Sequence, residues 1–214
     1  MNLTVTIVDY GVGNLLSVAR AFTYCGAEVV LTDNPNTIKN AKRLVLPGVG
    51  AFADGMSSLQ QRNLVSVLQE FAKTERPFLG ICLGMQMLMD SSEEFGFHEG
   101  LGLIPGKVVE IPKAGHDGVP HKIPHIGWNM LQKPAHQPDW QNSLLADIAL
   151  GSASYFVHSF MAVPYQQQHR FADTNYNGQI ISAVIRSGNI YGCQFHPEKS
   201  GELGLQMVKN FLQL

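Results

Sequence analysis

The sequence predicts an α/β fold, a three-layer sandwich with a mostly parallel central sheet extended by antiparallel strands. Up to about residue 91, short β-branched and apolar runs alternate with amphipathic helical patterns, as in a parallel sheet covered by helices on both faces. From Ser154 the pattern changes to strands separated by turn signals, which reads as an antiparallel extension of the same sheet. The 214 residues, 45% hydrophobic and 15% charged, are read as one domain, 1–214.

In order, Val5 to Val8 is a β-branched strand, and a helical pattern runs from Leu15 to about Cys25. Between them, Gly11-Val12-Gly13-Asn14 invites a dinucleotide-binding reading. Leu16 stands where a third glycine is needed, and no acidic residue follows a second strand convincingly, so the glycines are assigned to a tight strand-to-helix turn. Ala27 to Leu31 is the second strand, and Thr32-Asp33-Asn34-Pro35 turns into a short helix. Arg43 to Leu46 is the third strand, ending in Pro47-Gly48-Val49-Gly50. Asp54 is expected to cap one helix from about Gly55 to Lys73, with Met56, Leu59, Leu64, Val67, Leu68 and Phe71 on its apolar face. Pro77 to Ile81 is the fourth strand, followed by a helical pattern from Leu83 to Met89. The turns after the first, third and fourth strands are expected together at the carboxyl edge of the sheet, where sites form in such folds.

Residues 93–142 are rich in Gly, Pro and His. Lys107 to Ile111 reads as a strand and Pro112 to Pro124 as a long exposed loop. His116, His121 and His125 do not make a metal site, because Pro120 and Pro124 prevent a helix that would align them and no carboxylate or thiol completes the set. Trp128 reads as a packing aromatic at a loop end. Strands follow at Tyr155 to Phe160, Gln168 to Tyr176, Ile180 to Arg186 and Ile190 to Phe195, and Gly201 to Leu214 is a closing helix.

The balance of charges excludes some function classes. A net charge of −2 gives no basic footprint for nucleic acid or a membrane surface. Three cysteines in a chain of this length do not form a disulfide framework, which points to a reducing cytoplasm. The first residues lack a signal-peptide pattern, and no apolar run is long enough to span a bilayer.

Two motifs carry chemistry. Gly80-Ile81-Cys82-Leu83-Gly84 places one cysteine where a strand turns into a helix, with glycines at minus two and plus two. This is the spacing of a nucleophile elbow with Cys in place of Ser. The helix start offers free backbone N–H groups and partial positive charge, both favouring a thiolate. Taken alone, the pentapeptide fits a buried structural cysteine beside helix-packing glycines equally well. The second motif is His196-Pro197-Glu198. Pro197 biases His196 to an extended backbone, so that His196 and Glu198, at i and i+2, are expected on one side. Glu198 would then orient a base that faces Cys82. Alone, this segment fits an exposed surface turn; together, the two motifs fit a nucleophile–base–orienter set.

Pro47 to Gly50, Gly80 to Gln86 and Gln194 to Ser200 together resemble the class I (triad) glutamine amidotransferases, which have a flavodoxin-like α/β fold. Asp9 to Ser17, Pro124 to Asn129 and Tyr155 to Ser159 resemble the glutaminase branch that serves imidazole glycerol phosphate synthase in histidine biosynthesis. The resemblance covers essentially the whole chain. It implies hydrolysis of glutamine to glutamate and ammonia through a Cys82 thioester, with His196 as base and Glu198 orienting it. It further implies an oxyanion hole at Val49, Gly50 and Leu83, gated at the Gly48–Val49 peptide, and glutamine contacts from Gly50, Gln86, His158 and Ser159. Asn14, His125, Gly127, Trp128 and Asn129 are implied at the interface with a cyclase (β/α)8 barrel subunit, which receives the ammonia and makes imidazole glycerol phosphate and AICAR as a heterodimer. No cofactor and no metal are implied. Two other readings stay open: a paralogous glutaminase that feeds a sugar-amidinating synthase in surface-polysaccharide biosynthesis, and a non-catalytic, partner-binding member of the fold. Two features depart from the family pattern: Phe160 follows His158-Ser159 where many relatives carry Tyr, and the 112–124 loop is longer than in compact relatives.

Overall fold

The period-two alternation of the N-terminal strands decides the layers. In a computed structural model describing residues 3–115, 118–137 and 139–214, Val5, Ile7, Val45, Leu79 and Ile81 face one apolar cluster. Val8, Leu44, Leu46 and Phe78 face the other. Neighbouring side chains on a strand point to opposite faces, so each strand serves two cores.

The elements in chain order are β1 Thr4–Val8, α1 Leu15–Tyr24, β2 Glu28–Thr32, α2 Pro35–Lys39, β3 Leu44–Gly48, α3 Phe52–Gln61 and α4 Val65–Ala72. Then come β4 Phe78–Cys82, α5 Leu83–Met87, β5 Met89–Ser92, β6 His98–Glu99, β7 Ile104–Glu110 and β8 His125–Gln132. The chain closes with β9 Ala153–His158, β10 Phe160–Pro164, β11 Arg170–Tyr176, β12 Gln179–Ser187, β13 Ile190–Cys193 and α6 Gly201–Gln213. Among the described residues, nine strands form the central sheet in the order β2-β1-β3-β4-β13-β12-β11-β8-β9. The first five run parallel, in the doubly wound order 2-1-3-4-5, with the fifth place taken by a strand from the end of the chain. Strands β12, β11, β8 and β9 extend the sheet antiparallel. Of the four expected C-terminal strands, the last, β13, therefore also joins the parallel half. A second sheet, β10-β7-β5-β6, was not visible in the sequence pattern.

The expected helix from Gly55 to Lys73 is two helices, α3 and α4, separated at Arg62–Leu64. Asn63 takes a left-handed conformation (φ 57°), which asparagine tolerates better than most residues. The break is written in the spacing: Leu59 and Leu64 are five apart, off the three-to-four rhythm of a helix face. Asp54 lies in the first turn of α3 and does not cap it; Ala51 occupies the cap position without a side-chain bond. The carboxylate of Glu94 serves instead, accepting the Phe52 N–H at 2.7 Å. The helix after Cys82 is short, and Met89 begins a strand.

The described part of the 112–124 segment folds back on itself. Ala114 bridges to Pro120, the His121 ring donates to the Pro112 carbonyl at 2.6 Å, and the Tyr176 hydroxyl donates to Lys122 O at 2.6 Å. His116 lies outside the described residues. Among the described residues, no group of three or more His, Cys, Asp or Glu side chains is placed to hold a metal.

Candidate active site

Adjacent parallel strands bring the two motifs together. Strand β4 ends at Cys82 and pairs with β13, whose Cys193 lies opposite Ile81. Three residues beyond Cys193, His196 arrives at the same carboxyl edge. On the other side β3 ends at Gly48, directly opposite Cys82.

Cys82 sits at the elbow with φ 54° and ψ −111°. Such a conformation costs on the order of 1–3 kcal/mol in a non-glycine residue and persists only where the surroundings hold it. The flanking glycines are a steric requirement. A Cβ on Gly80 would come within 2.6 Å of Gly84 O, and one on Gly84 within 1.8 Å of Leu46 O. The tight corner thus seats α5 directly on β3 and β4.

His196 lies close enough to Cys82 for the sulfur to act on its pKa. Its Nδ1 lies 2.8 Å from Glu198 Oε1, so the ring presents Nε2 to the sulfur. Both side chains of the His196–Glu198 pair are almost fully buried. Burial alone would lower the His196 pKa, but the hydrogen bonds and charges of Cys82 and Glu198 outweigh it and raise the value to about 9. The imidazole therefore rests as an imidazolium at neutral pH, placing a cation beside the sulfur. Among the described residues, Glu198 Oε2 is buried without a hydrogen-bond partner, which leaves His196 as the group that answers its charge. His196 is extended (φ −100°, ψ 102°), as Pro197 demands, but Pro197–Lys199 is a single 3₁₀ turn. Glu198 thus reaches the ring by curling back, not along an extended segment as the sequence predicted.

A cavity of about 440 Å³ opens over the sulfur, lined among others by Val49, Gly50, Cys82, Leu83, Gln86, His158, Ser159 and His196. Every residue expected to act on glutamine borders it except Glu198, which lies behind His196. Gln86 reaches it in a restricted way. Its amide nitrogen donates to Phe160 O and to Gln194 Oε1, each at 3.0 Å, which leaves Oε1 alone to meet a ligand. Phe160 enters through its backbone carbonyl, so the missing tyrosine hydroxyl does not disturb these bonds.

Four residues escaped the sequence reading. Gln194 is fully buried and donates to Cys82 Sγ at 3.8 Å; its signal was a polar side chain two residues before His196, inside an apolar strand. Tyr10 donates to Pro47 O at 2.8 Å and pins the end of β3; burial first, then the nearby Cys82 charge, raises its pKa. Glu94 and Lys199 line the cavity, and nothing in their local sequence marked them.

The residues expected at a partner interface are dispersed. Asn14 is exposed and caps α1, accepting from Ser17 N at 3.4 Å. Trp128 is no loop-end packing residue: it lies in β8 and is 58% exposed, in line with Ile126 and Met130. Gly127 and Asn129 are half-buried. His125 points inward, stacked on Tyr176 (4.0 Å between centroids) and Phe156 (4.9 Å), with its Nδ1 3.0 Å from His158 Nε2.

Residues 6–214 match the family model for glutamine amidotransferase class-I. The chain belongs to this family. It is 59% identical over 211 residues to the imidazole glycerol phosphate synthase subunit HisH 1 of Legionella pneumophila, covering 99% of each chain. It is 45% identical over 208 residues to subunit HisH of a Geobacillus species, covering 97% of this chain and 95% of the relative. The structure of PurLQS from Thermotoga maritima superposes with a TM-score of 0.72 at 17% identity, covering 100% of this amidotransferase and 99% of that chain. The glutaminase domain of Trypanosoma brucei CTPS superposes at 0.62 and 14% identity, covering 97% and 91%. At these identities the structural likenesses speak for the fold.

Proposed function

We propose that this amidotransferase is the glutaminase subunit of an imidazole glycerol phosphate synthase, releasing ammonia from glutamine for histidine biosynthesis. The observation that carries the reading is the convergence of Cys82, His196 and Glu198 beneath one cavity. The full-length likeness to HisH subunits assigns the pathway.

The Cys82 thiolate attacks the side-chain amide carbon of glutamine, and the carbonyl electrons move onto oxygen. N–H groups of Leu83 and of the Val49–Gly50 turn receive that oxyanion; each such donor is worth about 10²–10³ in rate. His196 delivers its Nε2 proton to the amide nitrogen, the C–N bond breaks and ammonia leaves. Water then gives a proton to His196 and attacks the thioester, releasing glutamate and restoring the thiolate. Glu198 holds the ring so that Nε2, and not Nδ1, serves the sulfur. Oε1 of Gln86 and the carboxylate of Glu94 offer acceptors to the substrate's N–H groups, and the backbone at His158–Ser159 borders its other end.

Ammonia is mostly protonated at neutral pH and then no longer nucleophilic, so it must pass directly to an acceptor subunit. The apolar ridge of Ile126, Trp128 and Met130 is the surface we assign to a cyclase (β/α)8 barrel partner, because an exposed tryptophan flanked by two exposed aliphatic side chains in line on a strand makes a docking anchor. The testing experiment is glutamate release from glutamine by the chain mixed with that barrel, with and without the barrel's ribotide ligand. Strong ligand-dependent stimulation is expected. No stimulation with a well-folded barrel would move the ammonia to another acceptor, such as a sugar-amidinating synthase.

A further inference from the structure

The Phe160 carbonyl is the fixed point of a buried hydrogen-bond chain that ends on the nucleophile. A backbone carbonyl only accepts. The Gln86 side-chain atom 3.0 Å from it is therefore the amide nitrogen, and the other N–H of that nitrogen points to Gln194, 3.0 Å away. Gln194 must meet it with its oxygen, so its own nitrogen faces Cys82 Sγ at 3.8 Å. The same carbonyl takes a second donor, His158 Nδ1, at 2.8 Å. That places a lone pair on His158 Nε2, which accepts from His125 Nδ1 at 3.0 Å. Gln194 is 0% exposed and Gln86 6%, so water does not compete for the contact between the two amides, although Gln86 Oε1 faces the cavity. No member of the chain can reverse without setting two acceptors or two donors face to face in a dry site.

We propose that Gln194 is a further catalytic residue of the glutaminase reaction, giving the Cys82 sulfur a fixed N–H donor that favours the thiolate, with Gln86 as the positioning residue that locks the amide. The proposal deepens the glutaminase reading and rests on it for the word catalytic; the donor itself is testable on the free chain. A charge-assisted hydrogen bond is the stronger kind, so the donor helps the sulfur more once it is ionised. It also remains in place when the sulfur becomes a thioester and His196 changes partner.

The test is the pH profile of Cys82 alkylation by iodoacetamide, read by peptide mass spectrometry so that the half-buried Cys25 does not contribute. Gln194→Met removes the donor at nearly constant volume. Its acid limb is expected about one unit higher than that of the natural chain, a tenfold change in the thiol–thiolate equilibrium, with the alkaline plateau kept. A merely structural loss would lower the plateau as well. Gln86→Leu keeps Gln194 but frees its amide, and is expected to move the limb in the same direction by less; it also serves should Gln194→Met fold poorly. Profiles that coincide with that of the natural chain in the folded variants overturn the proposal. Glutamate release by the natural chain with the cyclase barrel separates the two claims. A displaced limb without glutamine turnover refutes the glutaminase reading and keeps the donor. Turnover with an undisplaced limb refutes the donor alone.

Discussion

Glu198→Gln is the most informative single change, because it keeps the shape of the site and removes one charge. In the natural protein the buried carboxylate sits 2.8 Å from His196 Nδ1 and helps raise the imidazole to about 9. An opposite charge at such range is worth about 1–3 pKa units. Loss of the carboxylate should lower the His196 midpoint by about 1–2 units, or about 2 kcal/mol at 1.36 kcal/mol per unit. The new amide nitrogen also falls at the position of Oε2, which has no partner, so a buried donor goes unsatisfied and the ring loses part of its alignment. Together these should lower kcat for glutamate release by about 30- to 100-fold, with a smaller change in KM, since Glu198 stands behind the imidazole. The assays are saturating-glutamine turnover with the partner present and an NMR titration of the His196 ring. A kcat within threefold of the natural enzyme, together with an unmoved His196 midpoint, would show that the Glu198 charge does not hold up the imidazolium.

Gly84→Ala forces a Cβ to within 1.8 Å of the Leu46 carbonyl; overpacking against backbone should cost about 3 kcal/mol or more, read as the shift in urea midpoint. His158 is held down to about 3, by burial first and against the help of the Phe160 carbonyl, and His125 to about 4, by burial and then His121. A base depressed on folding stabilises fully above its unfolded pKa and loses that contribution as pH falls. At pH 5, 1.5 units below the usual histidine value, His158 alone should cost about 2 kcal/mol relative to pH 8, and His158→Asn should flatten that acid limb. His196 has the opposite sign: raised on folding, it stabilises fully below about 6.5 and loses that contribution as pH climbs through about 9, so Cys82→Ser, which removes its first favourable partner, should weaken the alkaline limb. Trp128→Ala leaves the free chain's stability within about 0.5 kcal/mol, since the ring is 58% exposed, but should weaken barrel binding by about 2 kcal/mol, some 30-fold in Kd by calorimetry.

What could be read from the sequence followed how locally it was encoded. The parallel half was legible because each N-terminal strand is a short apolar run flanked by turn residues, and the elbow because its glycine–cysteine spacing is local and is supported by the His196-Pro197-Glu198 motif elsewhere in the chain. The pairing of β13 beside β4 was not, since register between strands 112 residues apart (Ile81 and Cys193) leaves no local trace. In the second sheet only β7 showed, as the strand expected at Lys107 to Ile111; β5 and β6 are too short for an alternation to show. Trp128 was misplaced because the glycine before it reads as a loop, whereas Gly127 sits in β8. The helix break at Asn63 was present in the spacing of Leu59 and Leu64. Glu94 and Tyr10 act on backbone groups 42 and 37 residues away, and only the folded chain shows them.

Cys82 stands at the centre of this chemistry as the nucleophile of a glutaminase serving the histidine-pathway cyclase. The most direct measurement is glutamate release from glutamine by this chain with the cyclase barrel and its ribotide ligand, for the natural chain and for Cys82→Ala side by side. Turnover should rise steeply with the ligand and disappear in Cys82→Ala while the pair still associates. Undiminished turnover in Cys82→Ala would contradict that role.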